Sequence, residues 1–197
     1  MKGGIAAVKA VVGTAFDNDS QKKLGNRFKR KATALKVFHS TKHGKIYHAN
    51  SLDVMRAMKA GSVDLVMTSP PFGLTREKEY GNAREGDYLK WFRAFALEFH
   101  RVLKDSGSLV IDIGGAWKPG APVRSLYHFK LLIMLCEEFG FHLAQDFYWW
   151  NPSKLPAPAE WVNIRRIRVK DAINPIWWLS KTDGPEPTTV ACYNHIA

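Results

Sequence analysis

The stretch TSPPF, residues 68–72, combines residue types that can do chemistry on a planar ligand. It follows the apolar run VDLVM, so a buried strand would end directly in two consecutive prolines. Proline fixes φ and has no N–H, so Pro70 and Pro71 must leave the strand's hydrogen-bond ladder and stiffen the turn. The Ser69 hydroxyl and the proline carbonyls accept hydrogen bonds, and Phe72 offers a ring face for stacking. The stretch therefore predicts a small rigid cup with acceptors and an aromatic wall.

Such a cup suits the exocyclic amino group of a nucleobase. Its acceptors would bind the –NH₂ group while the aromatic face stacks on the ring. The amino nitrogen is a poor nucleophile because its lone pair is delocalised into the ring. Acceptors placed out of the ring plane favour a pyramidal nitrogen, whose lone pair is free to attack. The alternative interpretation is a plain stop between a strand and a loop.

Predicted strands and helices alternate from residue 45 onwards. Strands are predicted over KIYHA, SVDLVMTS, SLVIDIGG, FHLAQDFYWWN and INPIWWLSK, and helices over residues 50–61, 86–104 and 122–139. The near-continuous apolar run SVDLVMTS predicts a strand that is buried on both faces. This alternation predicts an α/β fold with right-handed βαβ units and a mostly parallel sheet. Ligands bind at the carboxyl ends of such strands, where TSPPF and the second polar strand end, DIGG, both lie.

Apolar stripes predict which residues of these elements are buried. In helix 86–104 the core-facing residues recur at spacings of three and four: Tyr88, Phe92, Phe95, Phe99 and Val102. In helix 122–139 the residues predicted on one face are Leu126, Phe129, Leu132, Ile133 and Cys136. Four strand tryptophans are also expected in the core: Trp149, Trp150, Trp177 and Trp178.

Composition narrows the class of protein. The 197 residues suffice for one domain with its own core. No stretch of about 18 apolar residues is present to span a membrane, and the N-terminal sequence has no secretory pattern. Cys136 and Cys192 match no zinc or redox spacing, so no metal site is predicted. A reduced, cytoplasmic protein is expected.

The net charge of +11 favours a polyanionic partner. Residues 1–47 hold eleven of the 29 Lys and Arg residues against only Asp17 and Asp19, so the excess lies at the N-terminus. Residues 1–44 are therefore expected to form a basic, partly disordered arm. The arm either contacts phosphates without reading sequence or is a solvated tail.

TSPPF resembles motif IV of the amino-group DNA methyltransferases, and its S-P-P-F form is similar to the cytosine-N4 subgroup. Adenine-N6 enzymes usually carry D-P-P-Y or N-P-P-Y instead. Further stretches resemble successive blocks of cytosine-N4 methyltransferases from type II restriction–modification systems: TSPPFGLTREKEYGN, HRVLKDSGSLVIDIGGAW and DFYWWNPSKLPAPAEWVNIRRIRVKDAINPIWWLSKT. The resemblance covers residues 45–182. It implies a partial Rossmann-like fold, mostly parallel with an antiparallel strand near the C-terminus, and methyl transfer from S-adenosylmethionine to cytosine N4 in double-stranded DNA.

The resemblance implies roles for five residues at the two strand ends. The Ser69 hydroxyl and the Pro70 carbonyl would bind the amino group of a flipped cytosine, and both are candidate cofactor-binding residues as well. Pro71 would hold the shape of the turn, and Phe72 would stack on the base. Asp112, from DIGG, would take up the leaving proton and balance the charge of a sulfonium. The alternative for Asp112 is a capping or loop aspartate.

The resemblance also implies that a basic stretch, SKLPAPAEWVNIRRIRVKD, lies near the DNA. The candidate DNA-binding residues in it are Lys154, Arg165, Arg166, Arg168 and Lys170. Taken alone, a charge run of this kind is more often a solvated surface.

The family's cofactor-binding half is not recognisable in this sequence. Its signature resembles F-x-G-x-G after a first strand, and neither GGIAAVKAVVG nor IDIGGAW qualifies. In the permuted β group that half follows the S-P-P-F half. The chain is therefore interpreted as the N-terminal catalytic half, residues 45–182, with an irregular tail over 183–197. It would be truncated, or complemented by a second polypeptide that carries the cofactor-binding and target-recognition half. Without the cofactor-binding strand beside it, SVDLVMTS would be an open apolar edge.

Two other functions remain open at this point. The chain could be a non-catalytic DNA-binding fragment, or an adenine-N6 DNA methyltransferase. The DNA target sequence cannot be read from these residues.

Overall fold

A computed structural model describes residues 36–73 and 87–184. Most of the predicted basic arm and of the predicted tail lies outside these ranges. Strand β1, Val37–Ser40, pairs antiparallel with β2, Lys45–Tyr47, in a two-stranded sheet. β1 lies within the range 1–44 that the sequence assigns to the arm. Within the described ranges, no helix has the length and apolar character needed to cross a bilayer.

Helix α1, Ser51–Ala57, lies within the predicted range 50–61 and has Asn50 as its N-cap. Asn50 Oδ1 accepts a hydrogen bond from the Leu52 N–H at 2.9 Å, which satisfies one of the free donors of the first turn. At the other end, Arg101 of helix α2 (Tyr88–Val102) donates to the carbonyls of Met55 and Met58 at 2.6 and 2.9 Å. The guanidinium thus fixes the end of α1 against α2.

A four-stranded sheet carries the rest of the fold, in the order β3-β4-β6-β5. Its strands are β3 (Val63–Thr68), β4 (Leu103–Asp112), β5 (His142–Trp150) and β6 (Ile173–Ser180). β3 and β4 run parallel, and β6 is antiparallel to both β4 and β5. Three strands therefore share one direction, and the C-terminal strand alone is reversed. The predicted α/β, mostly parallel sheet with an antiparallel strand near the C-terminus is confirmed.

Helices α2 and α3 (Tyr127–Glu137) bury one face of this sheet. Leu109, Ile111 and Leu179 have no exposed surface and belong to the same core cluster as the buried residues of both helices. The predicted aromatic stripe of α2 is confirmed: its residues are buried or half-buried in this cluster. The aromatic rings of the stripe pack against one another, and the ring centroids of Phe92 and Phe99 are 6.1 Å apart.

The predicted face of α3 is only partly right: Leu132 and Cys136 are half-buried and pack against the core cluster, but the other three predicted residues do not lie on the buried face. The helix begins at Tyr127, and it buries one set of residues: Tyr127, His128, Leu131, Met134 and Leu135. Leu126, Phe129 and Ile133, which the pattern assigns to the core, are about half exposed. Apolar residues lie on nearly all sides of this helix, so periodicity alone does not fix its buried face.

The opposite face of the sheet is only partly covered by the described residues, and we call it the open face. Met67 pairs with Val110, and Val110 pairs with Trp178, so these side chains point to the same side. The open face comprises Leu65, Met67, Val110, Ile176 and Trp178, none of which is fully buried. Met67 is 74% exposed.

β3 is an edge strand in the described sheet, with β4 as its one neighbour. The expectation that it is buried on both faces is wrong, because no described element covers its second face or its outer edge. The expectation of an open apolar edge is confirmed for the described residues. Trp177 is buried and Trp178 half-buried, but Trp149 and Trp150 are 50% and 66% exposed, so their predicted core position is wrong.

Candidate active site

Parallel pairing of β3 and β4 brings the two predicted strand ends together. Thr68 is the register partner of Ile111, so the next residues, Ser69 and Asp112, emerge side by side. The Ser69 hydroxyl donates a hydrogen bond to Asp112 Oδ2 at 3.3 Å. The sequence placed these residues at neighbouring strand ends without fixing their distance, and the structure puts them in contact.

One carboxylate oxygen of Asp112 accepts no hydrogen bond from the described residues. Oδ1 is buried and has no hydrogen-bond partner among the described residues. Asp112 is two residues beyond Val110 and so projects from the open face of the sheet. The Ile113 N–H donates to the Pro175 carbonyl at 3.1 Å, which holds the strand end in place. The carboxylate can accept a hydrogen bond or a proton there, or face a positive charge.

The two prolines and Phe72 form the wall next to this carboxylate. Pro70 is buried, and Pro71 and Phe72 are half-buried. The Phe72 ring lies against Gly114, where an added Cβ would fall 2.5 Å from Phe72 Cε2. The absence of a side chain at Gly114 therefore allows the Phe72 ring to approach the end of β4 closely.

Tyr127 supports this arrangement from the first turn of α3. Its hydroxyl donates a short hydrogen bond to the Gly114 carbonyl. A Cβ at Gly73, the residue after Phe72, would lie 3.0 Å from the Tyr127 ring. Sequence reasoning missed Gly114 and Tyr127 as site residues. The paired glycines of DIGG were the available signal, because consecutive glycines at a strand end mark a close approach of other atoms.

The basic residues predicted to bind DNA divide into two groups. Lys154 Nζ donates to Asn174 Oδ1 at 3.0 Å, and Arg168 Nε donates to the Pro122 carbonyl at 2.6 Å. Lys170 Nζ donates to the Pro152 carbonyl at 2.6 Å. Arg165 and Arg166 are exposed and have no side-chain partner in the part of the chain that the structure describes. These last two guanidinium groups are available to a ligand.

Two further charged residues, Arg124 and Asp171, form an ion pair at the end of this basic stretch, and sequence reasoning missed both as site residues. Arg124 Nη1 donates to Asp171 Oδ2 at 2.8 Å, and Lys154 Nζ lies 3.6 Å from the same oxygen. Burial pushes the pKa of Asp171 upward, but the hydrogen bond and charge of Arg124, aided by Lys154, outweigh it and hold the pKa below its usual range. Asp171 therefore stays ionised at neutral pH.

His128 is buried behind the site, close to Gly115. Its ring is parallel to that of Trp177, at an interplanar angle of 5° and a centroid distance of 6.4 Å. Burial lowers the pKa of His128, and the positive charge of Arg124 lowers it further, against a smaller opposing effect of Asp171. Nδ1 has no hydrogen-bond partner among the described residues. The imidazole is thus held neutral.

The described residues contain no group of three or more His, Cys, Asp and Glu side chains placed to hold a metal ion. Cys136 is a free, half-buried thiol, and Cys192 lies outside the described residues.

Comparison with known proteins agrees with this geometry. A family model for N6/N4 methyltransferases, described as DNA methylase, matches residues 63–194. The type II methyltransferase M.PvuII of Proteus hauseri is 52% identical over 151 residues, which cover 77% of this chain and 45% of that protein. The type II methyltransferase M.BamHI of Bacillus amyloliquefaciens is 32% identical over 127 residues, which cover 61% of this chain and 30% of that protein. The chain thus spans less than half the length of these curated relatives.

Solved structures show the same relationship. The PvuII DNA methyltransferase (cytosine-N4-specific) superposes with a TM-score of 0.71 and 51% identity, covering 78% of this chain and 54% of that chain. A DNA modification methylase from Thermus thermophilus, TTHA0409, has a TM-score of 0.51 at 23% identity, covering 72% of this chain and 54% of that chain, and supports the fold alone. The resemblance read from TSPPF and its neighbouring blocks is confirmed: since the family model matches more than half of its residues, the chain belongs to the DNA methylase family of N6/N4 methyltransferases.

Proposed function

We propose that the chain forms the catalytic half of an S-adenosylmethionine-dependent DNA methyltransferase that modifies cytosine N4 in double-stranded DNA. The observation that carries the proposal is the contact between Ser69 and Asp112 at 3.3 Å, at the carboxyl ends of two parallel strands. The cytosine-N4 specificity of the PvuII relative supports the choice of base. Protection of DNA in a type II restriction–modification system is the corresponding biological role.

Each residue of the cup has a distinct part in this proposal. The Ser69 hydroxyl and the Pro70 carbonyl accept hydrogen bonds from the amino group and favour its pyramidal form. Pro71 keeps the turn rigid, and Phe72 stacks on the flipped base. Asp112 accepts the proton that the amino nitrogen loses when it forms its bond to the methyl carbon.

The donor set at the strand ends fits a cationic cofactor. The buried, unpartnered Asp112 Oδ1 suits the positive charge of a sulfonium, and Ser69 and Pro70 border the same space. S-adenosylmethionine supplies, when bound, a methyl group that leaves its sulfur without the bonding electron pair. The glycine-rich strand that would bind the rest of the cofactor is not among the motifs of this sequence.

A second polypeptide is the proposed source of that strand. The open face of the sheet and the free edge of β3 are apolar, and sheets of this α/β class are ordinarily covered on both faces. A layer that adds a strand beside β3 would bury Leu65 and Met67 and bring the cofactor next to Asp112. The partner would therefore carry the cofactor-binding and target-recognition half.

DNA binding is assigned to exposed basic groups. Arg165 and Arg166 are the cations of the 154–170 set that have no side-chain partner among the described residues, whereas Lys154, Arg168 and Lys170 each donate a hydrogen bond within the chain, and the N-terminal arm adds charge. Contacts of this kind go to phosphates and set the register of the protein on the duplex. A reduced cytoplasmic setting, in which the Cys136 thiol stays free, belongs to the same proposal.

Transfer of labelled methyl groups tests the proposal. Purified chain, S-[methyl-³H]adenosylmethionine and duplex DNA are combined, with and without the polypeptide encoded immediately downstream. We expect label in duplex DNA when both polypeptides are present, and its loss with Ser69→Ala but not with the exposed control Ser106→Ala. Label in RNA only, or equal label with Ser69→Ala, would contradict the proposal.

The missing glycine-rich motif favours a second candidate, a non-catalytic DNA-binding fragment. Calorimetry with S-adenosylmethionine separates the two for the isolated chain. An absence of cofactor binding, together with DNA binding that weakens steeply with salt, supports the fragment for the chain alone. If the second polypeptide restores methyl transfer, that result supports the split enzyme instead.

A further inference from the structure

A partly buried ion pair, Arg124–Asp171, connects the basic stretch to the strand ends. We infer that Arg124 and Asp171 are positioning residues that hold residues 151–172, here called the basic segment, against the end of β4 so that its cations meet DNA in register with the base cup. The inference rests on the proposed DNA methyltransferase function and deepens it. Neither residue touches the reacting atoms.

Asp171 is the anchor on the side of the basic segment. Its side chain is 16% exposed, and it faces Arg124 at 2.8 Å and Lys154 at 3.6 Å. Lys154 also donates to Asn174 of β6, and the Asn151 N–H donates to the Ala172 carbonyl at 2.7 Å. The two ends of the segment are thus closed onto each other and onto the sheet at the position of this carboxylate.

Arg124 is the anchor on the side of the strand ends. Its guanidinium carbon lies 5.1 Å from the centre of the Trp117 ring, and Trp117 packs on Trp161 with centroids 5.4 Å apart. The Trp161 carbonyl accepts the N–H groups of Ile167 and Arg168, at 2.9 and 3.2 Å. Arg124 therefore holds the segment in two ways, directly through its ion pair with Asp171 and indirectly through Trp117, which packs on Trp161.

The same guanidinium reaches the base cup through the backbone. Arg124 packs so closely on Gly115 that a side chain there would collide with it. Gly114, the preceding residue, is in contact with the Phe72 ring. A continuous series of contacts thus joins Asp171 to Phe72 through Arg124 and the two glycines. Displacement of the basic segment would therefore shift the position of the Phe72 ring.

The two possible roles of Asp171, as a negative charge and as a positioning group, predict opposite changes in DNA affinity when its carboxylate is removed. If the carboxylate acts only as a charge, its removal makes the segment more positive and strengthens binding to a polyanion. If it positions the segment, its removal frees Arg124 and Lys154, loosens the segment and weakens binding. The sign of the change decides between the two.

Fluorescence anisotropy with a labelled DNA duplex, over a series of salt concentrations, measures the sign in the full chain. We expect Asp171→Asn to weaken affinity about tenfold, corresponding to a coupling of ordinary size between contacting groups. Asp171→Glu, which keeps the carboxylate, should retain most of the affinity. Asp64→Asn is the matched control, because it removes an exposed carboxylate that pairs with Lys104 at the far end of β3.

Trypsin cleavage of the same variants reports on the segment without DNA or cofactor. Asp171→Asn should speed cleavage after Arg165 and Arg166 and leave cleavage within the buried sheet unchanged, whereas a general loss of stability would speed both. Unchanged or tighter DNA binding by Asp171→Asn would overturn the inference. So would unchanged DNA binding by the Arg165→Ala, Arg166→Ala double variant. A lack of methyl transfer with the expected affinity pattern intact would overturn the proposed enzyme and support the positioning pair.

Discussion

Asp112 keeps one carboxylate oxygen buried and without a partner among the described residues, although an unsatisfied buried acceptor costs about 1–3 kcal/mol. A group that is retained at such a cost is commonly one that a ligand satisfies. Its neighbour Ser69 donates to the other oxygen, so Oδ1 is the atom that the proposed reaction would use. This unpartnered oxygen favours a catalytic carboxylate over a loop aspartate.

Replacement of Asp112 by asparagine keeps the shape of the side chain and removes its capacity to take a proton. We expect the rate of methyl transfer in the complemented enzyme to fall about 10²- to 10⁴-fold, the usual share of general acid–base catalysis. Single-turnover kinetics measures the rate. Asp105→Asn, whose carboxylate is 92% exposed, is the control and should transfer at the wild-type rate.

Gly114 is the second residue on which the cup depends. In Gly114→Ala the new methyl group would lie 2.5 Å from Phe72 Cε2, so the ring must move. We expect transfer to fall about 10²-fold from misplacement of the stacking wall, with a loss of about 1–3 kcal/mol in the free energy of unfolding. Gly44→Ala, where the nearest atom would be 3.9 Å away, should change neither kinetics nor urea unfolding.

Among the secondary-structure elements, α2 and β4 hold the residues of the candidate site in position. α2 packs its aromatic stripe under β4, and β4 holds Asp112 and Gly114 at its end. Because the strand end is rigid only if the strand is packed, the stability of this layer sets the geometry of the cup.

Removal of the Phe92 ring tests that packing. The side chain is 1% exposed and contacts Tyr88, Phe95 and Phe99, so Phe92→Ala leaves a large cavity. We expect a loss of about 3 to 5 kcal/mol in the free energy of unfolding, measured by urea denaturation. Phe38→Ala, at a ring that is 74% exposed, should change it by less than about 0.5 kcal/mol.

The buried face of an element could be predicted from the sequence where its apolar residues lie on one side only. The stripe of α2 has a mostly polar opposite side, so its buried face followed from spacing. α3 is apolar on nearly all sides, and Trp149 and Trp150 lie on the edge strand β5, so their burial depends on neighbours that no local pattern reveals.

The same limit applies within the site. Ser69 and Asp112 could be paired in advance because parallel strands align their carboxyl ends. Arg124, Asp171 and Tyr127 reach the site from distant parts of the chain through contacts that only the tertiary fold creates. Paired glycines and a lone Asp among basic residues were weak local signals of those contacts.

For the whole molecule, the buried His128 and the half-buried His100 make stability depend on pH. Burial lowers the pKa of His128 and of His100; Arg124 adds to the effect at His128 and Lys181 at His100. The unfolded chain protonates both near the ordinary value of about 6.5, so it binds more protons than the folded chain as pH falls. Stability should therefore be fully present above that range and decline below it.

Urea unfolding midpoints at about pH 7.5 and about pH 5.5 test this dependence. We expect a lower midpoint at the acid pH, and a smaller drop in His128→Phe, which cannot be protonated. A midpoint that rises on acidification, or the same drop in the variant, would contradict the neutral, buried state of His128.

The open face and free edge of the half sheet are proposed to receive a second polypeptide. Such an assembly would have one chemical product, which nucleoside mass spectrometry can identify. Duplex DNA is incubated with the chain, the second polypeptide and S-adenosylmethionine, and is then digested to nucleosides. We expect N4-methyldeoxycytidine, formed more slowly by about 10²-fold or more when Asp112→Asn replaces the wild-type chain. N6-methyldeoxyadenosine, or N4-methyldeoxycytidine in equal amount with Asp112→Asn, would contradict the proposed reaction.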